Sequence, residues 1–150
     1  MLSCLAAWLI MIFMVGCADR GKPLQVEFVQ GTVSLDGEPV SEANVSFIPI
    51  DQEGQTERAG GYSDNHGRYR LTSANGNPEQ GAVAGEYRIV VQKILTETIP
   101  SPDPDDGSAS AVFKTTHMLP EIYRDRKKTP LAATVNKGKN TIDIELKSKP

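Results

Sequence analysis

The sequence predicts an all-β fold: a seven-stranded antiparallel Greek-key sandwich. Three observations carry this expectation. Seven short segments between Val26 and Leu146 alternate apolar and polar residues with the period of two that a half-buried strand requires. The chain's 13 glycines and 10 prolines are scattered between those segments as punctuation. Turn signals recur at the interval expected of strands joined by hairpins and short loops, so no long helix is expected.

The first strand is read over residues 26–35, with Val26 and Phe28, then Val33 and Leu35, on its apolar face and Gly31 interrupting it as a bulge. Asp36-Gly37 makes a tight turn, and residues 43–49 alternate again, with Val45 and Phe47 sharing a face. Pro49 has no amide donor, which assigns that end to an edge. Residues 51–57 form a loop before a third strand at 58–63. In Asp64-Asn65-His66-Gly67 the aspartate can accept a bond from the backbone two residues on, and Gly67 takes positive φ freely. That turn launches residues 68–72, with Tyr69 and Leu71 toward the core.

After a loop at 73–84, residues 85–93 make the clearest strand, placing Tyr87, Ile89 and Val91 on one face. Residues 96–115 carry no strand pattern, and the prolines at 100, 102 and 104 mark a mobile insertion at about 96–118. Residues 131–135 and 141–146 then close the fold as a hairpin across residues 136–140.

With 150 residues the chain holds one core and one domain, over residues 26–147, once its N-terminal segment is set aside. A net charge of −3 gives no basic footprint, so no nucleic-acid partner is expected. The two cysteines, Cys4 and Cys17, both precede the domain, which leaves its interior without a disulfide or a thiol nucleophile.

Residues 2–16 are uncharged and strongly apolar, and Asp19, Arg20 and Lys22 follow at once. The run is shorter than the roughly 20 apolar residues of a membrane span and fits the apolar region of an export signal. Its end, Met14-Val15-Gly16-Cys17, resembles the bacterial lipobox. That resemblance implies a signal peptide at 1–16, cleavage between Gly16 and Cys17, and a diacylglycerol thioether on Cys17. Residues 17–25 would then be a tether, and two or three acyl chains would hold the protein to a membrane, facing the periplasm or the cell surface.

A second resemblance runs through the body. Gly31-Thr32-Val33, Asp36-Gly37-Glu38-Pro39-Val40 and Ala43-Asn44-Val45-Ser46-Phe47 follow one another as in the opening of the carboxypeptidase regulatory-like, or transthyretin-like, domain. The run from Tyr62 to Tyr69 is similar to its Asp-x-x-Gly-x-aromatic turn, and the run from Gly81 to Ile89 to its Gly-x-x-x-Gly-x-Tyr strand. Leu119-Pro120-Glu121-Ile122-Tyr123 and the segment after it resemble the ending of a group of small bacterial lipoproteins built on this domain. The resemblance implies a prealbumin-like sandwich that accompanies other activities as a folding or binding module and supplies no catalytic residue.

The residues agree with a non-catalytic reading. His66 sits in a turn and His117 in a linker, no Gly-x-Ser-x-Gly elbow is present, and no catalytic residue, cofactor or metal is expected. Asp103, Asp105 and Asp106 are the residues that would ligate calcium, but they lack the spacing and distal Glu of a calcium loop and read as a stiff solvated segment. Leu119, Ile122 and Tyr123 read as a short apolar segment over the sandwich edge, and the mixed charges from Arg124 to Lys128 as a solvated loop.

The expected function is therefore a membrane-tethered binding or structural module of the cell envelope, with an envelope protein or polysaccharide as its partner. Two alternatives stand beside it: a carbohydrate-binding accessory domain, or a transthyretin-like small-molecule hydrolase. The hydrolase would call for a Tyr-Arg-Gly-Ser-like ending where this chain has Lys147-Ser148-Lys149-Pro150.

Overall fold

The computed structural model describes residues 25–50, 58–73, 81–99 and 112–149. The lipobox-like run with Cys17 and the acidic cluster Asp103, Asp105 and Asp106 lie outside the described residues. The protein is all-β. In chain order its elements are β1 (Val26–Leu35), β2 (Glu38–Pro39), β3 (Asn44–Pro49), β4 (Ala59–Tyr62), β5 (Arg68–Arg70), β6 (Thr72–Ser73) and β7 (Ala82–Val83). There follow β8 (Gly85–Gln92), β9 (Ile94–Ile99), β10 (Val112–His117), the single helical turn α1 (Glu121–Arg124), β11 (Ala132–Val135), β12 (Lys139–Thr141) and β13 (Ile144–Leu146). Each of the seven segments read as strands contains one.

Two larger sheets share one core. In the first, β1 is a spine to which β2, β5 and β7 pair antiparallel while β12 and β13 pair parallel. In the second, all antiparallel, the order is β11-β8-β3-β4-β6. Val29, Val33, Tyr69, Ile144 and Leu146 from the first sheet meet Val45, Phe47, Tyr87, Ile89 and Val91 from the second in one buried cluster. Phe47 lies at its centre, with the rings of Tyr87 and Tyr69 at centroid distances of 5.8 and 6.3 Å. Tilted rings at such separations are the favoured arrangement for aromatic pairs.

The pairing corrects four expectations. First, residues 131–135 and 141–146 do not form a hairpin. β11 pairs with β8 in one sheet, and β12 and β13 pair with β1 in the other, so residues 136–138 carry the chain between sheets and the first sheet is mixed rather than antiparallel. Side chains secure that crossing: Asn136 N–H donates to Asn140 Oδ1 (2.9 Å), Asn140 Nδ2 donates to the Asn136 carbonyl (2.8 Å), and Gly138 N–H donates to the carboxylate of buried Glu27 (2.7 Å).

Second, β1 has no bulge at Gly31. Glu27, Val29, Gly31 and Val33 all turn inward, whereas Phe28 faces out beneath the Arg70 guanidinium, 5.0 Å from its ring centroid. The register also holds across the gap between β12 and β13, with Phe28 opposite Lys139 and Val33 opposite Ile144. The ladder breaks there because Asp143 Oδ1 accepts the Thr32 N–H (2.8 Å) and hydroxyl (2.8 Å) in place of a backbone carbonyl.

Third, the stretch read as patternless contains β9 and β10, paired over six positions from Ile94–His117 to Ile99–Val112. Their described side chains are exposed, so no core-facing alternation marked them in the sequence. Fourth, His117 is a strand residue of β10, opposite Ile94, and not a linker residue.

Other expectations hold. Asp36 (φ 52°) and Gly37 (φ 93°) form the two-residue turn that folds β2 back on β1. Asp64 Oδ1 accepts from the amides of His66 (2.8 Å) and Arg68 (2.9 Å), and Gly67 takes a φ of 74°. Leu119 and Tyr123 are buried in the core cluster and Ile122 packs against it, while the Tyr123 hydroxyl accepts the Lys147 N–H (2.9 Å). The segment around α1 thus closes an edge of the core rather than displaying a recognition motif.

Hydrogen bonds hold three aspartates, exposed Asp36 and Asp64 and half-buried Asp125, below the usual carboxylate range. The donors are Ser148 for Asp36, the Arg68 and His66 amides for Asp64, and the Lys127 amide for Asp125. A carboxylate whose pKa is lower folded than unfolded contributes stability above the unfolded value of about 3.9 and loses it as pH falls through the folded value. The urea midpoint should therefore hold from neutral pH down to about pH 5 and fall below about pH 4, with a smaller fall in Asp64→Asn. An equal acid-dependent fall in that variant would discount this turn. At the alkaline end, burial pushes Tyr87 up to about 12 and holds Tyr69 well above its ordinary value, Asp143 adding to the latter.

Candidate functional site

Among the described residues, two depressions and one hairpin offer surface that a ligand or partner can use. The first depression, about 280 Å³, lies over the middle of β1 and is lined by Gln30, Gly31, Thr32, Arg68, Tyr69, Thr141 and Asp143. Three of its polar side chains, Thr32, Tyr69 and Asp143, serve the fold. Asp143 holds both donors of Thr32, and the Tyr69 hydroxyl donates to the Ile142 carbonyl at 2.6 Å. Gly31 lies against that carbonyl, so closely that a Cβ would overlap it. This is a structural joint between strands rather than a set of groups waiting for a substrate.

The second depression, about 440 Å³, lies on the outer face of the five-stranded sheet. Gly60, Ser46 and Val90 stand side by side across β4, β3 and β8, and Ile48 and Gln92 extend the floor along β3 and β8. Alternation along the strands puts them there: Val45 and Phe47, Ile89 and Val91 turn into the core, so the residues between them turn out. Three arginines line this floor. Arg58 immediately precedes β4, while Arg124 ends α1 and Arg126 follows it.

The segment after α1 is shaped locally. Asp125 Oδ1 accepts the Lys127 N–H (2.8 Å), and the Asp125 carbonyl accepts the amides of Lys128 (3.1 Å) and Thr129 (2.8 Å). Buried Thr129 then donates its hydroxyl to the Ile89 carbonyl at 2.8 Å and fixes the turn to β8. The charges in this run are unequally used. Among the described residues, Lys128 pairs with Glu121 at 3.3 Å and with Asp125 at 3.7 Å, whereas Arg124 reaches Glu121 alone, at 3.8 Å, and its buried Nε has no acceptor. Exposed pairs of this kind contribute at most about 1 kcal/mol each. Among the described residues Arg58 and Arg126 have no ion pair or hydrogen bond.

The projecting feature is the β9–β10 hairpin. It continues from β8, is tied at its base by the Met118 N–H donating to the Lys93 carbonyl (2.9 Å), and exposes Ile94, Leu95, Ile99 and Phe113. A two-stranded ribbon has little stability of its own.

The histidines do not make a site. His66 is exposed in the Asp64 turn and His117 is exposed on the hairpin. Among the described residues no group of three His, Cys, Asp or Glu side chains is placed to hold a metal ion, and no helix is long and apolar enough to cross a membrane. The arginine-lined depression escaped the sequence reading because Arg58 is far along the chain from Arg124 and Arg126, and the charged run from Arg124 to Lys128 gives no sign of the sheet face it adjoins. A scan against family models and searches of curated proteins and of solved structures return no match to this chain.

Proposed function

We propose that the chain is a membrane-tethered, non-catalytic lipoprotein of the cell envelope whose body is a carboxypeptidase regulatory-like, transthyretin-like domain acting as a binding module. The observation that carries the binding role is the contrast between the two depressions. In one, Thr32, Tyr69 and Asp143 are consumed by the strands they join, and Arg68 is the one guanidinium of the lining. In the other, three guanidinium groups line an open sheet face and have almost no internal acceptors.

Taking β12 and β13 as one strand interrupted at Asp143, the strands of three or more residues in the two larger sheets are β1, β3, β4, β5, β8, β11 and β12–β13. That count supports the seven-stranded prealbumin-like Greek-key sandwich as the architecture. The tether rests on Met14-Val15-Gly16-Cys17 at the end of an uncharged apolar run, a few residues before β1 enters the core.

The test is intact mass and detergent partitioning of the protein made in a bacterial host, beside Cys17→Ala. The mature wild type is expected to begin at Cys17, carry a lipid-sized mass increment and enter the detergent phase, all of which Cys17→Ala loses. A wild-type product that keeps residues 1–16, or that is soluble without lipid, would overturn the tether and leave the binding role to be judged separately.

A further inference from the structure

We propose that the arginine-lined depression on the outer sheet face binds an acidic saccharide, a sugar ring bearing a carboxylate; this rests on reading the domain as a binding module. The floor and the rim ask for different parts of one ligand. Half-buried Ile48 offers apolar surface to the C–H face of a ring, Val90 lies buried beneath the floor, and Gly60 leaves the sheet flat beside Ser46. The Ser46 hydroxyl and the Gln92 amide supply a donor and acceptors suited to ring hydroxyls, with Ser46 Oγ already positioned by Asn44 Oδ1 at 3.1 Å.

The rim supplies charge of one sign. Guanidinium groups pair with a carboxylate through two parallel N–H donors, and Arg58, Arg124 and Arg126 are the charged residues of this lining. Arg124 is weakly paired: among the described residues its one ion-pair contact is Glu121, at 3.8 Å. A carboxylate arriving between the arginines gives their guanidinium groups an acceptor. At about 440 Å³ the depression has room for one or two sugar units. A neutral sugar would leave the arginines unanswered, and a bare phosphate would leave the apolar floor unused.

The test is titration of trigalacturonate, maltotriose and inorganic phosphate into the full-length protein in detergent, followed by calorimetry and competition. Trigalacturonate is expected to bind at about millimolar Kd or tighter, with maltotriose and phosphate each at least about tenfold weaker. Arg124→Gln and Arg126→Gln should each weaken trigalacturonate about tenfold. Lys114→Gln, which removes a charge on the β9–β10 hairpin, should leave it unchanged. Arg126 is exposed in a turn, so its variant keeps the test valid should Arg124→Gln disturb the packing of α1. The proposal is overturned by absence of trigalacturonate binding at about 10 mM, by equal affinity in Arg126→Gln, or by equal binding of maltotriose or phosphate. The mass of the same preparations reports on the tether, so failure of the groove and failure of the lipoprotein reading are distinguishable.

Discussion

Replacing Gly31 by alanine is expected to remove about 3–5 kcal/mol of stability, more than any other single added methyl group on β1. A Cβ at position 31 would overlap the carbonyl oxygen of Ile142, lie 2.6 Å from its carbon and come within 3.1 Å of Tyr69 Cε1. None of these neighbours can move freely. The Ile142 N–H donates to the Gln30 carbonyl at 2.8 Å, the Ile142 carbonyl accepts the Tyr69 hydroxyl, and Asp143 holds Thr32. Relief of the overlap therefore requires β1 to part from the β12–β13 strand, and a small domain has only about 5–15 kcal/mol to lose.

Gly37→Ala is the matched comparison. Gly37 has a φ of 93° but open space around it, so the change should cost only about 1 kcal/mol, as left-handed backbone strain. Urea denaturation followed by circular dichroism reads both. A Gly31→Ala loss no larger than that of Gly37→Ala would show that the close approach of these strands is not a fixed feature of the fold.

Phe47→Ala is expected to cost about 3–5 kcal/mol. The side chain is fully buried between the two sheets and touches the aromatic rings of Tyr69, from the first sheet, and Tyr87, from the second. Its removal loses transfer free energy, leaves a cavity that close-packed neighbours cannot refill, and forfeits about 0.5–1.5 kcal/mol for each ring pair. Phe28→Ala, by contrast, should cost about 1 kcal/mol, since Phe28 is half-buried on the outer face of β1, where the Arg70 guanidinium lies over its ring. Near-equal losses would mean that Phe28 faces inward as the alternation Val26, Phe28 suggested, and that the face assignment along β1 is reversed.

Phe28 shows where reading a sequence meets its limit. Val26-Glu27-Phe28-Val29 offers apolar residues in both phases, and nothing local says that Glu27 can turn inward. It does so because Gly138, 111 residues away, donates its N–H to the Glu27 carboxylate. The hydrogen bond offsets the cost of burying the charge. The closing segments tell the same story. Residues 131–135 and 141–146 are strands by their alternation, and a glycine between them is what a hairpin would need, yet they belong to different sheets. The β9–β10 hairpin was illegible for the opposite reason: its described side chains face solvent, so selection for burial left no alternation to read.

The sequence by itself determined that this protein is all-β, where its principal strands lie, and which inward positions, Val33, Val45, Phe47, Tyr69, Leu71, Tyr87, Ile89 and Val91, form the core. It determined the Asp36-Gly37 and Asp64–Gly67 turns as well, because alternation and turn chemistry are local properties of a few adjacent residues. Only the tertiary structure decided which strand pairs with which, that β1 runs parallel to β12 and β13, and that Arg58 shares a sheet face with Arg124 and Arg126. Pairing and convergence of this kind depend on free energies gained between residues far apart in the chain, and no local pattern records them.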